Sequence, residues 1–368
     1  MYIKIEEKKY YLEDDRGIIP INISKPNILS DGFILENSFY LVEGEVVDGV
    51  LRVDKIGLPV AESRTESMTA IGLQKCDFFG AFPSLSEYTK VQEQETVHGE
   101  AGSFAILSDV HLDRPDVLIK LEKLFDGLQH MSPLPVFVFM GNFTSKPMSS
   151  SINNSKTIIG YFEELGNIIA QYPRIAKNGR FIIIPGPNDP GMGTILPHHP
   201  IPEYFVTGLR SKVQRLVLTS NPCRFRYFTK ELVFFRQDMM AKFLDNSLSF
   251  RNQDSDDSNN IPHHNYLGNQ HLFSHLVQTV IHQGHLCPLP EMASPIYWQY
   301  DHVMRLNPIP DALILGDRME QMYENYLGCD VINCGPFIRD FSFLMYRPIG
   351  EGSTSSSIKS DVEFSQID

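Results

Sequence analysis

The hydrophobic pattern of the chain changes near Ser103. Before that point, short alternating runs are separated by turn residues, the signature of half-buried strands. "KKYYLEDDRGIIPINIS" predicts a strand, a turn at Asp15-Arg16-Gly17 and a second strand. "SFYLVEGEVVDGVLRVDKIGLP" predicts two more, joined at Asp48-Gly49, a dipeptide that accepts the positive φ of a tight hairpin. No convincing helix interrupts the segment before Gly72, so a small antiparallel barrel is expected, an OB-fold foremost. From Pro83 to Gly102 the sequence becomes polar and aperiodic, which predicts a linker.

Beyond Ser103 come continuous apolar runs: "FAILSD", "VFVFMGN", "FIIIPGPND", "LVLTSNP", "LVFFRQD", "ALILGD", "VINCGP" and "FSFLMY". Strands apolar on both faces belong to a sheet covered by helices. The helices are legible between them: "DVLIKLEKLFDGL" from Asp116, "SKTIIGYFEELGNIIAQYP" with Ser155 as its cap, and "NQHLFSHLVQTVIHQ". The expected fold class is therefore α/β, a layered domain behind a small all-β one. The expected division is 1–82 OB-like, 83–102 linker, 103–348 layered domain and 349–368 disordered tail. The polar, acidic "NQDSDDSNN" (252–260) predicts a flexible surface loop.

Composition narrows the function. With 42% hydrophobic and 21% charged residues, the chain is an ordinary globular one. A net charge of -13 and a pI near 5.4 repel a phosphate backbone, so a broad nucleic-acid surface is not expected. Arg210, Lys212 and Arg215 form a basic group that reads as a solvated rim. Five scattered cysteines without a CxxC pair argue against a disulfide framework or closed zinc site and fit a reducing compartment. The charged N-terminus shows no signal peptide, and no apolar run approaches the roughly 20 residues of a membrane helix. A soluble intracellular protein with no membrane partner is expected.

Candidate chemistry lies just past the ends of the apolar runs, where layered sheets hold their ligands. "SDVHLD" places Asp109 and His111 one residue apart, which matches the D-x-H motif of the calcineurin-like metallophosphoesterases. Two-metal hydrolysis also needs a bridging carboxylate, further ligands and an acid near the leaving oxygen. Where that superfamily has G-D-x-x-D, "GNFTS" offers Asn142 and Ser145. Where it has G-N-H-D/E, "GPND" offers Pro187, Asn188 and Asp189. His285 in "HQGHL" matches the single-histidine motif, and "LGDRM" sets Asp317 and Met319 in place of the histidines of G-H-x-H. The surviving potential ligands are Asp109, His111, Asn142, His285 and Asp317. An amide carries no charge to hold two cations, and proline has no ligand to give. No catalytic residue, cofactor or bound metal is expected from this set.

"NFTSKP", "FIIIPGPNDPGMGTILP", "QGHLCPLP", "SPIYWQYDHVMRLNPIPDALILGD" and "INCGPF" resemble the B-subunits of the eukaryotic replicative DNA polymerases, the epsilon branch in particular. The resemblance runs from Tyr11 to about Pro348. It implies an OB-fold followed by an inactive, calcineurin-like phosphoesterase domain in a layered sandwich. It implies as partner the catalytic subunit of DNA polymerase epsilon, held through its C-terminal zinc-binding region. It also implies other polymerase epsilon subunits and replisome proteins as partners, DNA contact only through the complex, and a nuclear location. The helical domain that family members carry at their N-terminus is expected to be absent, since the chain opens almost at the OB strands.

Two readings compete with a scaffold: an active metal-dependent phosphoesterase with a reduced ligand set, and an OB-mediated single-strand DNA binder. Asn142 speaks against the first, and the acids of "EDD" and "VEGEVVD" against the second. Trp298, between apolar neighbours, is expected in the core, with an interface anchor as the alternative.

Overall fold

Asp14 closes the first hairpin by accepting the N–H groups of Arg16 (2.8 Å) and Gly17 (3.0 Å) on Oδ1. The structure, a computed structural model, describes residues 2–6, 9–23, 27–28, 31–71, 85–147, 152–191, 194–248, 269–350 and 359–368. The first strands are β1 (Tyr2–Glu6), β2 (Lys9–Asp14), β3 (Gly17–Asn22), β4 (Asn27–Ile28), β5 (Leu41–Val47) and β6 (Val50–Gly57). Helices α1 (Arg64–Ile71) and α2 (Leu85–His98) come after them. Next are β7 (Phe104–Ser108), α3 (Pro115–Leu128), β8 (Val136–Met140), α4 (Ile152–Ala170), α5 (Pro173–Asn178) and β9 (Arg180–Ile184). Then come α6 (Thr207–Lys212), β10 (Arg215–Leu218), β11 (Cys223–Tyr227), β12 (Lys230–Phe235), α7 (Met239–Asn246) and α8 (Asn269–Gln283). The chain ends through β13 (Ala312–Leu315), β14 (Met322–Tyr326), β15 (Cys329–Asn333), α9 (Phe337–Asp340), β16 (Ser342–Arg347) and β17 (Asp361–Gln366).

The chain divides into two compact units. The first takes residues 1–67, 238–309 and 326–328, so α7 and α8 join the N-terminal strands instead of obeying the expected boundary at 83–102. Its six-stranded sheet runs β1-β2-β3-β6-β4, with β5 also on β6. Both predicted hairpins form. Asp48 (φ 51°) and Gly49 (φ 77°) make the second turn, and β5 bulges at Gly44, where a Cβ would lie 2.0 Å from the Arg52 carbonyl oxygen. The reason α8 belongs here is chemical. Its His275 and Thr279 side chains accept the N–H groups of Gly32 (2.7 Å) and Phe33 (2.8 Å), donors that no strand satisfies.

The second unit holds two mixed sheets, β10-β9-β8-β7-β16-β17 and β11-β12-β13-β15-β14. All eight apolar runs of the sequence are strands of these sheets. Alternate residues sort to opposite faces. Phe104, Ile106, Val138, Met140, Ile182 and Ile184 meet Leu232, Phe234, Ala312, Ile314 and Ile332 of the other sheet. Leu107, Phe137, Phe139, Phe181 and Ile183 instead face a core completed from α3 and α4 by Leu121, Phe125, Phe162 and Ile169. Burial on both faces is why these strands read as unbroken apolar runs.

Four expectations are corrected. Helix α2 occupies most of the stretch read as a linker, and α4 starts at Ile152, ahead of the supposed cap Ser155. The tail read as disordered carries β17, which pairs antiparallel with β16 and turns Val362 onto the inter-sheet core. An otherwise open strand edge supplies the ladder that this polar segment needs. The 252–260 loop and residues 351–358 of the tail lie outside the described residues. Trp298 is not in the core: it is 76% exposed, on a short 3-10 helix. No described helix is long and apolar enough to cross a membrane.

Candidate functional site

Parallel register sets the site. Ser108 pairs with Met140 and Met140 with Ile184, so the ends of β7, β8 and β9 lie side by side. In the second sheet Phe235, Leu315 and Asn333 align in the same way. Asp109 leaves β7 in the left-handed region (φ 53°), a conformation that non-glycine residues adopt only where surrounding contacts hold them. Its N–H reaches the Gly141 carbonyl at 3.4 Å.

The partner of Asp109 is Arg236, the residue that ends the run "LVFF". The arginine side chain is 0% exposed, and its Nη2 donates to both Asp109 oxygens at 2.8 and 3.0 Å. Nε donates to the Gly141 carbonyl at 2.6 Å. Buried Asn221 fixes the Arg236 backbone from both sides, accepting its N–H on Oδ1 (3.0 Å) and donating from Nδ2 to its carbonyl (2.7 Å). Gly316 makes room for the arginine stem, since a Cβ there would stand 2.8 Å from Arg236 Cδ. Burial alone pushes the Asp109 carboxyl up. The Arg236 charge, with neighbouring His111 and the Asn142 N–H, outweighs burial and holds the carboxyl well below the usual range.

The other predicted positions have defined places. His111 stays near, with Nε2 3.7 Å from Asp109 Oδ1. Asn142 uses both ends of its amide: Nδ2 donates to Asp109 (3.0 Å), and Oδ1 accepts the Asn188 N–H (2.9 Å). Ser145 donates its N–H (2.9 Å) and hydroxyl (2.5 Å) to the Asp113 carboxylate. Asp189 accepts the N–H groups of Phe143 and Gly186, each at 2.7 Å. Burial foremost, with the Asp109 charge adding to it, pushes the Asp189 carboxyl up to about 7 against those hydrogen bonds and Arg236. Asp317 turns a carboxylate oxygen to the Met319 N–H (3.1 Å).

His285 belongs to the first unit, where its Nε2 meets Asp301 (3.2 Å) and its Nδ1 accepts the Cys287 N–H (3.0 Å). Burial lowers its pKa, with Asp301 opposing.

The structure thus brings together Asp109, His111 and Asn142. Among the described residues no group of three or more His, Cys, Asp or Glu is placed to hold a metal ion. The residues do not fit a dinuclear metal centre: a guanidinium already contacts both oxygens of the carboxylate that would ligate the first cation. A fixed positive charge at hydrogen-bond distance opposes a dication at the same oxygens. Sequence reading missed Arg236 and its holder Asn221. The available signal was position, since Arg236 comes directly after its strand as Asp109 does after β7.

Residues 104–324 match the family of the DNA polymerase alpha/epsilon B-subunit, and residues 1–60 match the OB-fold domain of the DNA polymerase epsilon subunit 2-like group. The DNA polymerase epsilon B-subunit of Arabidopsis thaliana is 38% identical over 348 residues, 94% of this chain and 63% of that protein. The DNA polymerase epsilon subunit 2 of Homo sapiens is 34% identical over 362 residues, 98% of this chain and 64% of that one. The chain therefore spans just under two thirds of the length of these relatives. A solved archaeal phosphodiesterase aligns with 72% of this chain and 99% of its own at 11% identity, with a TM-score of 0.31.

Proposed function

The chain belongs to the DNA polymerase alpha/epsilon B-subunit family, and from that premise we propose that it serves as the non-catalytic accessory B-subunit of DNA polymerase epsilon in nuclear replication. In this reading it stabilises and tethers the catalytic subunit through that subunit's C-terminal zinc-binding region. It joins the other epsilon subunits and replisome proteins, and it meets DNA only through the complex. The observation that carries the non-catalytic half is the buried Arg236–Asp109 pair. The first letters of a phosphoesterase motif are retained, but Asp109 is engaged by a guanidinium and cannot gather cations. No bridging carboxylate stands at Asn142, and no imidazole at Asn188. What remains is a rigid layered core, suited to carrying surfaces.

The test is co-expression with the C-terminal region of the catalytic subunit, then co-purification. A stable one-to-one complex is expected, and failure of the well-folded chain to associate overturns the reading. In parallel, manganese-dependent hydrolysis of a generic phosphodiester should stay at the level of the buffer. Turnover that Asp109→Ala or His111→Ala abolishes would return the chain to the hydrolases.

A further inference from the structure

Trp298 is the chain's single tryptophan, and it stands 76% exposed. Beside it in the first unit opens a groove of about 890 Å³ whose apolar walls include Trp298, Phe39 and Ile296. Phe39 is itself 47% exposed. Single exposed apolar side chains are ordinary, but two large aromatics lining one groove are not.

The groove is held in shape. Gln283, ending α8, accepts the Phe39 N–H (2.9 Å) and donates to the Phe39 carbonyl (2.8 Å). Ser38 donates to the Pro288 carbonyl at 3.1 Å. Asp301 accepts from Arg305 at 2.9 Å and lies 3.2 Å from His285. A preformed cleft loses little conformational freedom on binding.

Its charge is one-sided. Glu13, Glu36 and Glu291 line it and form no ion pair with any described residue, whereas the cation in the lining, Arg305, is engaged by Asp301. Aromatic walls under an acidic rim complement a segment that carries both apolar and cationic side chains.

We propose that this groove seats a lysine- or arginine-bearing extended segment of the polymerase catalytic subunit's C-terminal region. An apolar side chain lies against Trp298 and Phe39, and the cations lie at the glutamate rim. The proposal rests on the accessory-subunit reading and adds the place and chemistry of the contact.

A lone tryptophan makes the test direct. The full chain, labelled with 5-fluorotryptophan, gives one fluorine resonance, which is titrated with the unlabelled C-terminal region of the catalytic subunit. The resonance should shift or broaden in step with complex formation measured by size exclusion. Trp298→Ala should weaken binding at least tenfold with an unchanged melting temperature, because the side chain is exposed. Glu36→Lys combined with Glu291→Lys should weaken it as well and flatten its salt dependence.

A complex that forms while the resonance stays still, with Trp298→Ala binding like the parent, overturns the groove and leaves the accessory role standing. No complex with the parent chain overturns both. A resonance that moves with protein concentration alone gives the groove to a second copy and also overturns the proposal.

Discussion

Removing the Arg236 side chain would strand Asp109 as a buried carboxylate without its cation, which typically costs about 3–5 kcal/mol. Arg236→Met should therefore lower the urea unfolding free energy by that order. Arg236→Met with Asp109→Asn should cost less than the sum of the single changes, because the orphaned charge is gone. Asp109 and Asp189 act oppositely with pH. The depressed Asp109 carboxyl contributes stability that is present above the unfolded value, roughly pH 4, and is lost as pH falls through the folded one. The raised Asp189 carboxyl contributes stability below roughly pH 4 that is lost as pH climbs through about 7. Asp189→Asn should erase that second decline when unfolding free energy is measured from pH 4 to 8. It also costs about 1–3 kcal/mol, since an amide oxygen replaces two acceptors. At this scale the sequence shows Asp109 and His111 because their spacing is a motif, whereas Arg236 has no motif. An arginine past an apolar run reads as a solvated end, and only the tertiary fold turns it inward.

Among elements, legibility tracks burial. Strands buried on both faces declare themselves through continuous apolar residues, and α3 and α8 through an apolar stripe with capping or turn residues at their ends. Helix α2 carries no such stripe in "LSEYTKVQEQETVH", so its sequence reads as a linker. Strand β17 is equally quiet, because its stability comes from the ladder with β16 and from an anchor in β15 that holds Ser360, the residue just before it. That anchor is Asp330, which accepts from Tyr346 (3.2 Å), Tyr323 (3.1 Å), Asn325 (2.8 Å) and Ser360. Burial, with the Asp330 charge, pushes the Tyr323 phenol up to about 12. Asp330→Ala would leave the buried Tyr346 hydroxyl unsatisfied, at about 1–3 kcal/mol. Hydrogen exchange should then speed first in the β17 amides, with β7 to β9 still protected; uniform loss of protection would contradict the anchor.

The whole molecule is acidic, at -13. Alone, it should bind a labelled single-stranded oligonucleotide more weakly than about 10⁻⁴ M at 0.15 M salt, by fluorescence anisotropy. Its melting temperature should not move with manganese or with a chelator, because a ligand stabilises a fold only by binding it. The cation of this core is encoded in the chain at Arg236 and needs no supply from the cell. That pair also limits which substitutions the core accepts. A dinuclear hydrolytic centre at this place would require Arg236 gone, an acid at Asn142 and an imidazole at Asn188. Losing the arginine first strands Asp109, and gaining the acid first sets a second carboxylate beside it with one guanidinium between them. Either move taken first lowers stability, so the surroundings of Asp109 are free to change only together, as a framework.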